Sequence, residues 1–199
     1  MTLASLERLQ RHTNELTMLE RRHYLAGHET REDDVSHSYS VALFAWRLNE
    51  AVDAGLDDEK LLKYALPHDF VEVYAGDVNS FADVNARLQK KKDEDSSFQR
   101  LQDEYTDSPD FIGAIEAYQA HTEEEALFVW ACDKMQALVQ GKLDDWRCYY
   151  ELKITDEQFA AKIAEYRPQI HPALLEFYDE FTSICMASYH FVEPQDTLF

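Results

Sequence analysis

Apolar residues recur along this chain at helical rather than strand spacing. Leu6, Leu9, Leu16 and Leu19 predict a helix from Ala4 to about Glu20. The stripe Val41, Phe44, Ala45, Leu48 and Val52 predicts a second from Val35 to about Val52, with Asp33 or Asp34 placed to cap it. Leu62, Ala65, Leu66, Asp69 and Val73 share one face of a third, which Asp57 or Asp58 caps. Pro67 predicts a kink or break in it immediately before His68-Asp69. Another helix begins at Pro109 and runs to Ala120, and Thr122 with Glu125 has capping-box spacing for the next. That next segment, Ala126 to Val139, is apolar almost all round, which predicts a central helix. A short helix over Thr155 to Tyr166 and a closing one from Pro168 to about Tyr189 complete the set. Between them, Arg21 to Asp34 reads as a polar loop, Asn79 to Tyr105 as an exposed charged helix with a mobile turn, and Asp144 to Tyr150 as an aromatic linker. From Glu193 onward the tail is expected to fray. The expected class is all-α, a compact bundle of about 5–8 helices with no strand.

Composition narrows this further. A chain of 199 residues suits one domain with a substantial core. Five Gly and five Pro are too few turn residues for many short strands. The formal charge of −20 opposes binding to nucleic acid polymers or an anionic membrane surface. It leaves room for a small anionic substrate, because a cation and one or two arginines can invert the local potential. Cys132, Cys148 and Cys185 have no CxxC spacing and read as reduced, buried thiols. No secretory signal and no apolar membrane-length stretch is present, so the cytoplasm is the expected compartment.

Two carboxylates disturb the apolar pattern. Asp69 takes a core-facing slot beside His68, and Glu72 projects from the same side one turn after His68. A buried ionised group needs a partner, and His beside Asp offers a nitrogen and an oxygen to a divalent cation. Asp133, with Lys134, carries the only charge in the central helix and aligns with its apolar face, so it must meet a metal, an arginine or a lysine. His37 lies in the first turn of the second helix. Arg22 and His23 are candidates for contacting an anion, while the run Lys90-Lys91-Lys92 reads as a solvated face.

The order His37, His68-Asp69, Asp133 resembles the H…HD…D signature of the HD-domain superfamily of metal-dependent phosphohydrolases. Longer blocks, Ser36 to Ala42, Ala65 to Val78 and Glu125 to Met135, resemble the YfbR-like branch, the bacterial 5′-deoxynucleotidases. The resemblance implies a single HD-type domain over residues 1–199, with a motif core over about 18–140 and residues 141–192 as C-terminal helices packing on it. It implies one divalent cation, such as cobalt, manganese or magnesium, on His37, His68, Asp69 and Asp133. It further implies Glu72 and Asp77 as catalytic carboxylates, Arg22 on the substrate phosphate, hydrolysis of 5′-deoxynucleoside monophosphates by metal-bound water, and a homodimer. His23 stands where the family has an aromatic or apolar residue, and Val78-Asn79-Ser80-Phe81 replaces a proline-containing turn. Release of triphosphate or pyrophosphate from a nucleoside triphosphate is the neighbouring activity, and a nucleotide sensor without turnover is the non-enzymatic alternative.

Overall fold

The computed structural model describes residues 2–77, 79, 81 and 84–191. The tail expected to fray, and Val78 and Ser80 of the departing turn, lie outside the described residues.

The chain is mainly helical, in the order α1 (Leu3–Leu16), β1 (Glu20–Tyr24), β2 (Arg31–Asp33), α2 (Asp34–Ala51), α3 (Asp58–Ala65), α4 (Glu72–Ala75), α5 (Val84–Glu104), α6 (Pro109–Ala120), α7 (Glu124–Leu143), α8 (Arg147–Glu151), α9 (Asp156–Tyr166) and α10 (Leu175–Ser188). The helical class is as expected, and the helices are more numerous, because several predicted units are divided. The third helix ends at Ala65, so His68-Asp69 lies in the turn between α3 and α4 rather than within a helix. Pro67, lacking a donor, cannot continue α3. The closing helix is broken into 3₁₀ turns at Arg167–Gln169 and Pro172–Leu174 before α10 begins, again at prolines. The aromatic linker contains α8.

The largest correction concerns Arg21 to Asp34. This polar stretch forms an antiparallel hairpin, β1 with β2, with an irregularity in register between Glu20 and Tyr24. Its polarity obscured a period of two over Glu20 to His23, with Glu20 and Arg22 facing solvent and Arg21 and His23 half-buried; buried Tyr24 breaks the alternation, where the register is irregular.

Caps fix where several helices start. The Asp33 carboxylate accepts from the backbone N–H groups of Val35 and Ser36, and Asp57 serves α3 in the same way. Such a cap contributes about 1 kcal/mol. Thr155 and Gln158 form a reciprocal capping box on α9. The box expected from Thr122 and Glu125 does not form, since the N-cap of α7 is Glu123 with no side-chain bond.

Helix α7 occupies the centre, as its all-round apolarity predicts, and Phe128, Val129, Ala131 and Cys132 are fully buried. Around it one core cluster gathers Val41 and Ala45 of α2, Leu61 and Ala65 of α3, and Phe159, Tyr178 and Tyr189 from the C-terminal part. Leu66, predicted on the apolar face of α3, is instead exposed, and Leu61 is buried in its place. A second cluster joins Leu16, Phe70, Val71, Leu101 and Ile115. The His68-Asp69 turn therefore runs from one cluster, at Ala65, into the other, at Phe70 and Val71, and is fixed at both ends. The three cysteines are free and buried. Among the described residues no helix is long and apolar enough to cross a membrane.

Candidate metal centre and anion pocket

Four side chains from three elements converge beside α7. His37, fully buried in the first turn of α2, brings Nε2 to 3.1 Å from Oδ1 of Asp133 and 3.6 Å from Oδ2 of Asp69. His68 brings its Nε2 to 3.1 Å from the same Asp69 oxygen, and the two imidazole rings are 5.2 Å apart.

Hydrogen bonds on the far sides of the rings determine which nitrogens face inward. His68 Nδ1–H donates to the carbonyl of Ala65 at 2.8 Å, so Nε2 carries a lone pair, buried and without a hydrogen-bond partner. His37 Nδ1 lies 2.8 Å from Oε1 of Gln136, whose amide nitrogen donates to buried Glu32 at 2.7 Å. A carboxylate can only accept, so the Gln136 oxygen faces His37 and Nδ1 must donate. The inner nitrogens of both rings and the Asp69 carboxylate thus point at one volume, and Asp133 Oδ1 stands against it 3.1 Å from His37 Nε2. Neutral imidazoles held by outer hydrogen bonds, together with carboxylate oxygens, are the donor set of a divalent transition-metal or magnesium site, and the residues fit such a cation. His37, His68 and Asp69 satisfy the spacing for a shared ion, with donor atoms within 4.8 Å of one another.

The electrostatics agree. Burial opposes a charged His68, yet Asp69 and Asp133 raise its pKa, so this volume attracts positive charge. Burial also opposes ionisation of Asp133, but Lys134 and His37 hold its pKa well below the usual range. Lys134 Nζ lies 2.6 Å from Asp133 Oδ2, leaving Oδ1 toward His37.

Of the other sequence candidates, Glu72 is buried at the start of α4, with Oε1 2.8 Å from Lys90 Nζ and Oε2 free of hydrogen bonds. Burial first, and Asp69 second, raise its pKa well above that of an ordinary glutamate, with Lys90 opposing. Asp77 lies 3.8 Å from the same lysine, just beyond Gly76, whose φ of +72° ends α4. Arg22 lines the pocket mouth with its side chain exposed.

Four residues near the site escaped the sequence reading. Arg21 reaches the carboxylates themselves, 3.1 Å from Asp69 and 3.5 Å from Asp34. Asp34 was legible only as a possible cap. Lys90 belongs to the run read as a solvated face, yet its ammonium contacts the site. Gln136 follows Asp133 by three, the spacing that puts both on one helical face.

A cavity of about 360 Å³ opens from Asp69, Glu72 and Asp133. Its wall joins aromatic rings, Phe81, Tyr149 and Tyr166, to Arg87, Lys91 and Lys162. With Arg21, Arg22, Lys90 and Lys134 these bring seven basic side chains to one pocket of a chain carrying only 19. His23, also on the wall, is pushed down to about 3 by burial and by Arg21, and is therefore neutral.

Residues 13–175 match the HD domain family. No curated protein matches the chain significantly. Among solved structures, it is similar to a predicted metal-dependent phosphohydrolase from Magnetospirillum magnetotacticum MS-1, with 20% identity, a TM-score of 0.77 and coverage of 94% of this chain and 93% of that one. A protein of Pyrococcus horikoshii OT3 shares 24% identity at a TM-score of 0.63, covering 92% and 99%. A conserved hypothetical protein of Pyrococcus furiosus shares 21% at 0.59, covering 89% and 99%. At these identities the likeness is one of fold.

Proposed function

Because this chain belongs to the HD domain family, we propose that it is a metal-dependent phosphohydrolase whose substrate is a 5′-(deoxy)nucleoside monophosphate, cleaved to nucleoside and phosphate. The observation that carries the reading is the convergence of two imidazole lone pairs with Asp69 and Asp133 at the floor of a basic, aromatic-walled pocket. The description of the Magnetospirillum relative supports the reaction class. We read residues 1–199 as one domain.

His37, His68, Asp69 and Asp133 would hold the cation, which when bound polarises a phosphoryl group and lowers the pKa of water. Glu72 accepts the proton of the attacking water. Its Oε2 is left without a hydrogen-bond partner while Lys90 fixes the other oxygen and favours the ionised form that can take the proton. Asp77, 3.8 Å from the same ammonium, is the second acidic residue of the site. Arg22, at the mouth, offers a planar fork to phosphate oxygens, while the aromatic wall gives a nucleobase an apolar face.

The basic rim favours a second reading. Arg87, Lys91 and Lys162 stand on the wall beyond the carboxylate floor, where the further phosphates of a nucleoside triphosphate would lie. The test is product release from mono-, di- and triphosphates after metal removal and readdition of manganese, cobalt or magnesium. Phosphate from monophosphates, abolished in His68→Ala, is the expected result. Triphosphate or pyrophosphate released from a nucleoside triphosphate would replace the first reading with the second. Silence with metal bound would overturn both and leave a sensor.

A further inference from the structure

A second group of carboxylates adjoins the first and shares Asp69 with it. Oxygens of Asp34, Asp69 and Glu72 all lie within 4.8 Å of one another. Asp34 and Glu72 are only 1% and 2% exposed, and Asp34 Oδ2 and Glu72 Oε2 have no hydrogen-bond partner. Three carboxylates this close cannot all stay ionised unless a cation lies among them or a proton is shared; burial and the Asp69 charge push Asp34 up to about 7, and Glu72 rises with it.

Two basic side chains supply part of the positive charge. Lys90 reaches Oε1 of Glu72, and it also serves Asp77 and Glu94. Arg21 is the group's own counter-charge: Nη1 bridges Asp69 Oδ2 and Asp34 Oδ1, while its Nε turns toward Glu32 at 3.8 Å. A guanidinium is flat and spreads one charge over three nitrogens, and here it leaves Asp34 Oδ2 and Glu72 Oε2 without a cationic partner. A hard divalent cation carries twice the charge at a point and takes carboxylate oxygens in just such a set, completing its shell with water.

We propose that Asp34, Asp69 and Glu72 form a latent second cation position, and that Arg21 holds the protein to a single metal by standing in it. The inference rests on the reading of His37, His68, Asp69 and Asp133 as the first position. Arg21 is then a positioning residue that sets metal stoichiometry, which a role in folding alone would not move.

The test is manganese bound per chain in folded, full-length protein, measured by elemental analysis after gel filtration and by electron paramagnetic resonance. The expected result is one manganese in the wild type, two in Arg21→Ala with the spectrum of a coupled pair, and one again in Arg21→Ala combined with Asp34→Asn. Arg21→Gln, which keeps a hydrogen-bond donor on the same strand, is carried in parallel in case the alanine variant does not fold. One manganese in a folded neutral variant would overturn the proposal, as would two in the wild type. No manganese in the wild type would instead overturn the reading of the first position.

Discussion

Glu32 sets the tautomer of His37 through a single amide: it accepts from Gln136 Nε2, which turns Oε1 toward His37 Nδ1 and leaves Nε2 facing Asp133 Oδ1 at 3.1 Å. Outer hydrogen bonds of this kind are worth 10–100-fold in metal affinity, roughly. Gln136→Leu is therefore expected to weaken metal binding by about that factor. Glu32→Gln, which removes the compulsion on the amide but keeps its volume, should weaken it less. Competition against a fluorescent chelator measures both, and unchanged affinity in Gln136→Leu would refute the role.

Chelation should lower thermal stability. A ligand at 100 times its dissociation constant stabilises the native state by about 2.7 kcal/mol, which for a chain of this size is roughly 5–10 °C in Tm. Removal and readdition of metal should shift the melting curve reversibly by that much. His37→Ala, which lacks one donor, should show little of the shift.

His12 provides a test by pH away from the metal. It is buried between two tyrosines, with Nδ1 2.9 Å from Tyr105 Oη and Nε2 2.8 Å from Tyr74 Oη, which in turn donates to Glu104. A neutral ring satisfies the whole chain: Tyr105 donates to Nδ1, and Nε2–H donates to Tyr74. Burial, only partly opposed by Glu104, lowers the His12 pKa below its ordinary 6.5. Between the lowered folded value and 6.5 the unfolded chain binds more protons, so stability rises with pH there. The contribution is whole above about pH 6.5 and is lost as pH falls toward the folded value. Urea midpoints at pH 7.5 and 5.5 should differ more in the wild type than in His12→Gln; equal differences would refute the assignment.

Gly141 lies where α7 meets α8 and has no room for a side chain. A Cβ there would sit 2.6 Å from Tyr149 Cε2 and 3.2 Å from Trp146 Cε3. Gly→Ala within a helix gains up to about 1 kcal/mol, whereas overpacking of this kind costs roughly 1–3 kcal/mol. Gly141→Ala should therefore destabilise by about 1 kcal/mol. Because Tyr149 also lines the anion pocket, the Michaelis constant should rise along with the fall in Tm.

The basic wall separates the two substrate readings. Arg87→Ala with Lys162→Ala should raise the Michaelis constant for a nucleoside triphosphate about tenfold, equivalent to about 1.4 kcal/mol, with little effect on a monophosphate. Steady-state kinetics on both substrates provides the comparison. Loss of monophosphate binding alone would place these side chains against the single phosphate.

Much of the frame was legible because long apolar periodicities survive in the fold. Helix α6 spans the predicted residues, α7 is central, and Asp133 is buried within it. The supports of the site were less legible, for reasons specific to each residue. Arg21 and Arg22 are adjacent, and only strand alternation distinguishes the half-buried side chain from the exposed one. A stretch with a single buried apolar residue, Tyr24, gives no hydrophobic signal of that alternation. Lys90 is one of three consecutive lysines, and which of them meets Glu72 depends on how α5 packs against α4, where the Ser97 hydroxyl donates to the Val71 carbonyl. Gln136 carried a usable signal as an uncharged amide buried on the Asp133 face of an almost wholly apolar helix.

The hairpin has a consequence for how the molecule is assembled. Two strands of five and three residues have little stability of their own. What holds them comes from far along the chain: Gln136 to Glu32, Gln140 to the Tyr24 carbonyl and Glu151 to Tyr24, at separations of 104, 116 and 127 residues. Loops of that length close at an entropic cost that these contacts offset only once α7 and α8 are in place. During synthesis the ribbon therefore emerges more than 100 residues before Gln136, Gln140 and Glu151, and the amide that orients His37 reaches it only after α7 has been made.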